Sequence, residues 1–444
     1  MKKHILYIFA AAAALNAFQA CQKPEEEIPE RTEAKPEVSG ALWQDEVKVD
    51  IRTDVLEENY YKDVIMDGGT SLTSRVRLPA CEAYGISLEY WNAEPVKKDS
   101  ILQIEAFDGT EVDHNGFLLF PDGAPRFKVF YSCGGTSKDH GTWLGPLGRN
   151  AVRTFNHNGG SYQGSCAGAF LGSAKRNGSL MAQYYGVWPG NATSSGLSGS
   201  STGMFIDEGS PLLKYFKFGG DNYVADVRHN GGCYCIDTYP GTEVLARYDK
   251  PGLAMHGNAS IWSWKGSEYY GRVVLCGSHP EEVDGGERME LMGAMLMYSM
   301  EGRGIARVKT ELRNGETFVA DKDSDDDDPL HAKIGDGQGH NFVAGIPSRT
   351  GRLTVRLEYE GDYEIHLLAE NGTFAFEDVA DYKDVTAANR KELTIEDPQP
   401  GTWYFCVHNV SRPKVGNTGH GLCAYSGQTE LLNGIKYSIS VSWE

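Results

Sequence analysis

The stretch Gly159-Gly160-Ser161-Tyr162-Gln163-Gly164-Ser165-Cys166-Ala167-Gly168-Ala169-Phe170 decides how this chain is read. A nucleophile offered at the tip of a strand sits on a sharp, strained turn before the next helix. Its neighbours must then be small, which gives the pattern Gly-x-nucleophile-x-Gly, here Gly164-Ser165-Cys166-Ala167-Gly168. Two consequences follow. The Cys166 sulfur lies at a helix N-terminus, whose partial positive charge favours thiolate. The backbone N–H of Ala167 points where an oxyanion would form. With 53 glycines in 444 residues the pattern also arises by chance, so its weight depends on what accompanies it.

A thiolate nucleophile needs a base, and the base needs an orienting group. The apolar run 272–276 reads as a strand and ends in Gly277-Ser278-His279-Pro280-Glu281. His279 thus stands at a strand end, Pro280 stiffens the turn, and Glu281 can fold back on the imidazole. Working outward, 63–66 is a short apolar strand ending at Asp67-Gly68-Gly69, 86–91 a second, and 127–131 a third ending in Cys133-Gly134-Gly135. Strands alternating with glycine turns and helix-compatible stretches predict an α/β fold: an open, mostly parallel sheet with helices on both faces. Chemistry in such sheets gathers at the C-terminal strand ends, where both glycine pairs fall. The Gly-, Ser- and Asn-rich stretch 186–232 is too long for a simple connection and reads as a lid or substrate loop. The Met-rich helix at 289–300 reads as core filling rather than as a binding surface.

From about residue 304 the pattern changes to short strands of alternating polarity, such as Leu353-Thr354-Val355-Arg356-Leu357 and Trp403-Tyr404-Phe405-Cys406-Val407. That predicts a small all-β sandwich. The division expected is 1–20 signal peptide, 21–58 acidic tether, 59–303 α/β domain and 304–444 sandwich. In the first segment Lys2 and Lys3 precede an apolar run too short to span a bilayer, ending in Phe18-Gln19-Ala20-Cys21. The Pro- and Glu-rich residues that follow cannot bury apolar surface.

The net charge of −19 argues against nucleic acid as a partner, because phosphate binding needs a basic face. Nine cysteines in an exported chain make disulfides possible, with Cys406–Cys423 the preferred pair. No cofactor or metal is expected: Cys233-x-Cys235 lacks a second ligand pair, and the acidic run 321–328 lacks the spacing of a calcium loop. His157 and His256 read as surface or packing residues, Tyr162 and Trp188 as packed aromatics, and Asp67 and Thr70 as turn or site-lining residues.

Ala20-Cys21 resembles the lipobox of bacterial lipoproteins, and the acidic run after it resembles the surface-export signal of Bacteroides-type lipoproteins. These resemblances imply a chain lipid-anchored at Cys21 to the outer membrane and exposed at the surface. Gly-Ser-Cys-Ala-Gly with His-Pro-Glu downstream resembles the class I glutamine amidotransferase-like superfamily, with its flavodoxin-like sheet. More narrowly, 159–170 resembles the N-terminal domain of some biotin–protein ligases. The resemblance covers roughly 63–300. It implies Cys166 as nucleophile, His279 as base and Glu281 as orienter, with an oxyanion hole from the N–H groups of Ala167 and of Gly134 or Gly135. The sandwich resembles the pre-peptidase C-terminal modules of secreted peptidases.

The family's glutamine-pocket Gln, four residues after the Cys, is Phe170 here, and neither a synthase nor a ligase half is present. Glutamine hydrolysis and biotin transfer are therefore not expected. Two readings stand: an extracytoplasmic cysteine hydrolase cutting an amide or peptide bond in a small molecule or peptide, and a non-catalytic surface-binding lipoprotein that keeps the fold.

Overall fold

The computed structural model describes residues 47–67, 78–91, 114–236, 239–281, 283–417 and 423–444. The expected signal peptide, Cys21, Gly68-Gly69 and Thr70 lie outside the described residues. The described residues belong to one compact unit. No helix among the described residues is long and apolar enough to cross a membrane.

A nine-stranded sheet dominates the first part. Five strands are parallel, in the order Leu88–Trp91, Lys62–Asp67, Phe127–Ser132, Ser161–Ser165 and Val273–Cys276. Four more continue it antiparallel: Ala259–Trp264, Glu243–Asp249, Ser200–Ile206 and Tyr223–His229. The sheet is thus mixed, and its parallel half carries the predicted α/β character. Every residue of Ser161–Ser165 and Val273–Cys276 is buried, as expected of central strands covered on both faces. Alternation sends Tyr162 to one face, where its hydroxyl donates to Gly168 O (2.7 Å) in helix Ala167–Gly172. Gln163 points to the other, where it accepts from Ser299 (2.9 Å) of helix Gly286–Glu301. Met292 and Met295 of that helix are buried, so its methionines do fill core.

The stretch 186–232 is not a loop. It supplies two strands of the large sheet and Trp188–Ser194 of a four-stranded side sheet. Its glycine content misled because some of these glycines serve close packing: a Cβ on Gly203 would lie 1.9 Å from the Tyr223 hydroxyl. Met204, Ile206, Val224 and Val227 then bury a separate core with Tyr248 and Met295.

The remainder is a β-sandwich of five and four strands. One sheet orders Val308–Glu311, Gly339–Ile346, Gly401–Asn409, Ile365–Asn371 and Tyr382–Asp384; the other Thr317–Ala320, Tyr437–Trp443, Arg352–Tyr359 and Arg390–Glu396. Their inner faces meet through Phe342, Val355, Leu367, Phe405 and Ile439. Residues 47–58, expected in the tether, instead run along this sandwich. Val49 and Val55 pack on its outer cluster, and the Arg52 N–H donates to the Tyr404 hydroxyl (2.8 Å). Their valines give them the apolar surface that the Pro/Glu run lacks. Cys406 is a free buried thiol, so the expected Cys406–Cys423 bridge is not formed; the Cys423 side chain lies outside the described residues.

The sandwich is tied to the α/β part by Arg126, wholly buried, which pairs with buried Asp336 and donates to Leu119 O (3.0 Å) and Leu432 O (3.1 Å). The acidic run is a surface turn, with Asp323 on Lys333 and Asp328 on His331.

Candidate active site

Cys166 sits between strand Ser161–Ser165 and helix Ala167–Gly172 with φ 50° and ψ −101°, a strained backbone for a residue with a Cβ. Small neighbours make the turn possible. A Cβ on Gly168 would lie 2.0 Å from Ser132 O, and one on Gly164 2.4 Å from the Gly168 carbonyl carbon. The helix therefore packs directly on two strands, and the Gly168 N–H donates to Cys133 O (3.0 Å). With six residues the helix has little macrodipole to offer the sulfur.

The neighbouring parallel strand brings the imidazole. Cys276 pairs with Ser165, and the Cys166 N–H donates to Cys276 O (2.9 Å), so both strands end together. Three residues on, His279 Nδ1 lies 3.0 Å from Glu281 Oε1, inside the turn that Pro280 makes. Burial alone would lower the His279 pKa. Interaction with the Cys166 side chain, followed by Glu281, outweighs it and raises the pKa to about 10. His279 Nε2, the ring's other nitrogen, is buried with no hydrogen bond of regular geometry. Gly134 closes the third side: a Cβ there would fall 2.1 Å from His279 Cε1. Gly135 follows at φ 150°. Cys166, His279, Glu281, Gly134, Gly135 and Ala167 are thus gathered at the C-terminal edge of three adjacent parallel strands.

A cover over the sulfur was not foreseen. The antiparallel half of the sheet curls so that Arg228, on its far edge strand, bridges to His279, whose N–H donates to Arg228 O (2.9 Å). The next residues pass over the sulfur, and the Cys166 thiol donates to Asn230 O (3.6 Å). Cys166 is 4% exposed. His229 is held by Ser195 Oγ at Nε2 (2.7 Å) and Ser278 Oγ at Nδ1 (2.8 Å). Burial, then the neighbouring His279, lower its pKa to about 4. Nothing local in sequence marks His229 or Asn230, because their place depends on the curl of the whole sheet. Ser278, beside His279 in the quoted string, was the one legible hint.

Other candidates fall elsewhere. Asp67 meets the buried His140 ring at 3.0 Å. His157 stacks on Tyr270, and His256 is exposed beside Asp249. Tyr162 and Trp188 are core residues. Cys233 and Cys235 are buried. Burial raises the pKa of Cys81, Cys233, Cys276 and Cys406.

No protein-family model and no curated protein matches this chain. Among solved structures, a glutamine amidotransferase is 16% identical over 53% of this chain and 98% of its own, with a TM-score of 0.34. The pre-peptidase C-terminal domain of a collagenase from Bacillus anthracis is 12% identical over 31% of this chain and 98% of its own, with a TM-score of 0.21. A periplasmic inhibitor of g-type lysozyme from Aeromonas hydrophila is 8% identical over 31% and 98%, with a TM-score of 0.18. Likeness this distant says nothing of activity.

Proposed function

We propose that the chain is an extracytoplasmic cysteine hydrolase of amide or peptide bonds, held at the outer membrane by lipid on Cys21. One observation carries the chemistry: Cys166, on a strained turn, and His279, braced by Glu281, stand at the ends of adjacent parallel strands. The Cys166 sulfur, its proton passed to His279, attacks the substrate carbonyl, and the negative oxygen is received by the N–H groups of Ala167 and of Gly134 or Gly135. Collapse expels the amine, which takes its proton from His279. The neutral ring then deprotonates a water that cleaves the thioester, releasing the acid and restoring the thiol.

The test is covalent labelling. A small thiol-directed electrophile should modify Cys166 in the wild-type protein and much more slowly in His279→Ala. Equal rates in the two would sink the dyad. Export and anchoring rest on the N-terminal sequence alone. Metabolic labelling with a fatty-acid analogue should mark the wild type and miss Cys21→Ala.

A second reading is favoured by the Asn230 carbonyl lying against the thiol: a binding lipoprotein in which the fold persists without turnover. It requires that Cys166→Ala leave the protein's role intact.

A further inference from the structure

Away from Cys166, the outer face of the five-stranded sandwich sheet brings together His366, Glu377 and His408. In strand Ile365–Asn371 the residues Ile365, Leu367 and Ala369 point into the sandwich core, so His366 points outward. In Gly401–Asn409, Trp403, Phe405 and Val407 point inward, and His408 outward. Register sets the two histidines directly opposite each other on one face. The connection after the first strand lays Phe374, Phe376 and Ala380 over Leu368, Tyr404 and Cys406, which anchors Glu377 above the pair.

From these positions His366 Nδ1 lies 3.0 Å from Glu377 Oε1, and His408 Nδ1 3.2 Å from Glu377 Oε2. The ligand atoms of all three residues lie within 4.8 Å of one another. Tetrahedral zinc with bonds of about 2.0–2.1 Å spaces its ligand atoms roughly 3.3 Å apart, close to the two Glu–His distances already present. A second observation concerns the far side of the ring. His366 Nε2 faces Glu364 Oε1 (3.2 Å), so a ring whose Nδ1 binds a metal has an acceptor in place for the hydrogen on Nε2. A carboxylate on the far nitrogen is the usual outer support of a metal-bound histidine.

We propose that His366, His408 and Glu377 bind a divalent transition metal, zinc foremost, with Glu364 as the supporting carboxylate. Two imidazoles and one carboxylate suit zinc better than calcium or magnesium, which prefer all-oxygen sites. The side chain of Glu377 is 39% exposed, which leaves room for a water or a ligand from outside as the fourth donor.

The test uses the full chain, stripped with a chelator and titrated with zinc(II) against a chromophoric competitor. One equivalent should bind, and its affinity should fall by more than about 100-fold in His408→Ala and in Glu377→Gln, and by about 10–100-fold in Glu364→Gln. Cys166→Ala should bind like the wild type, and zinc should raise the unfolding temperature of both. Glu377→Gln, at a half-exposed position, keeps the test valid if His408→Ala fails to fold. The proposal is overturned if no stoichiometric binding is seen, if binding survives in Glu377→Gln, or if it disappears in Cys166→Ala. Those outcomes would leave the cluster as hydrogen bonds between two imidazoles and a carboxylate.

Discussion

Replacing Gly134 by alanine tests the site while keeping the backbone N–H that the oxyanion proposal draws on. Gly134 does not adopt the left-handed backbone that excludes a side chain, so the strand end tolerates the methyl group. The imidazole does not. The added Cβ would lie 2.1 Å from His279 Cε1, 2.7 Å from Nδ1 and 3.2 Å from Nε2. To restore ordinary contact at 3.4 Å the ring must retreat by about 1.3 Å. That movement re-aims Nδ1 relative to Glu281, now 3.0 Å away, and shifts Nε2 relative to the Cys166 sulfur. A displacement of about 1 Å from productive geometry costs on the order of 100-fold in rate, or about 2.7 kcal/mol of barrier. Alkylation of Cys166, followed by intact mass and peptide mapping, should slow accordingly, while the unfolding temperature stays near that of the wild type. An unchanged alkylation rate in folded Gly134→Ala would refute the claim that His279 acts on Cys166 from this position.

Burial raises the pKa of Cys81, Cys233, Cys276 and Cys406, so native-state labelling at neutral pH should map to Cys166 and leave these four unmodified; labelling of Cys233 or Cys276 at a similar rate would count against a special thiol. The His279 pKa rises on folding from an ordinary 6.5 to about 10, so its contribution to stability is complete below pH 6.5 and lost as pH climbs through about 10. Urea midpoints of wild type and His279→Gln should therefore converge across that window, and a constant gap would contradict the coupling. Breaking the buried Arg126–Asp336 pair with Arg126→Met should destabilise by about 3–5 kcal/mol, read by urea unfolding, because it strands a buried carboxylate. The double variant Arg126→Met/Asp336→Leu should recover part of that loss; if it is no more stable than Arg126→Met, the stranded charge is not the cause.

The parts of the fold legible in sequence were those whose cause is local. Gly164 and Gly168 announce a helix pressed onto strands, and the structure supplies the reason in their distances to the Gly168 and Ser132 carbonyls. The apolar runs 63–66, 127–131 and 272–276 became Lys62–Asp67, Phe127–Ser132 and Val273–Cys276, because central parallel strands are apolar on both faces. The antiparallel half was not legible. Only three of seven residues are buried in each of Tyr223–His229 and Glu243–Asp249, and glycine in Ser200–Ile206 looked like flexibility when it makes room for Tyr223. Register-dependent neighbours were equally hidden. His366 and His408 are opposed only because two strands align, a fact that spacing along the chain does not encode. The cover over Cys166 depends on a sheet curling until its far edge reaches His279.

The two histidines beside that cover show how environment, rather than residue type, divides the roles. His229 is fully buried and His279 keeps 11% of its side chain exposed, and each meets partners through both the strand ends and the cover. His229 has hydroxyl neighbours, Ser195 and Ser278, which can accept or donate and stabilise no charge strongly. Desolvation therefore dominates, and its pKa falls to about 4. Desolvation works on His279 too, yet the sulfur of Cys166 and the carboxylate of Glu281 reverse the sign and raise its pKa to about 10. At neutral pH the first ring is a neutral hydrogen-bonding brace for the cover, and the second carries the proton that a departing amine would need. Excluding water makes both effects larger, because charge interactions strengthen as the local dielectric falls. The closure that hides Cys166 is thus also what separates the two imidazoles by charge.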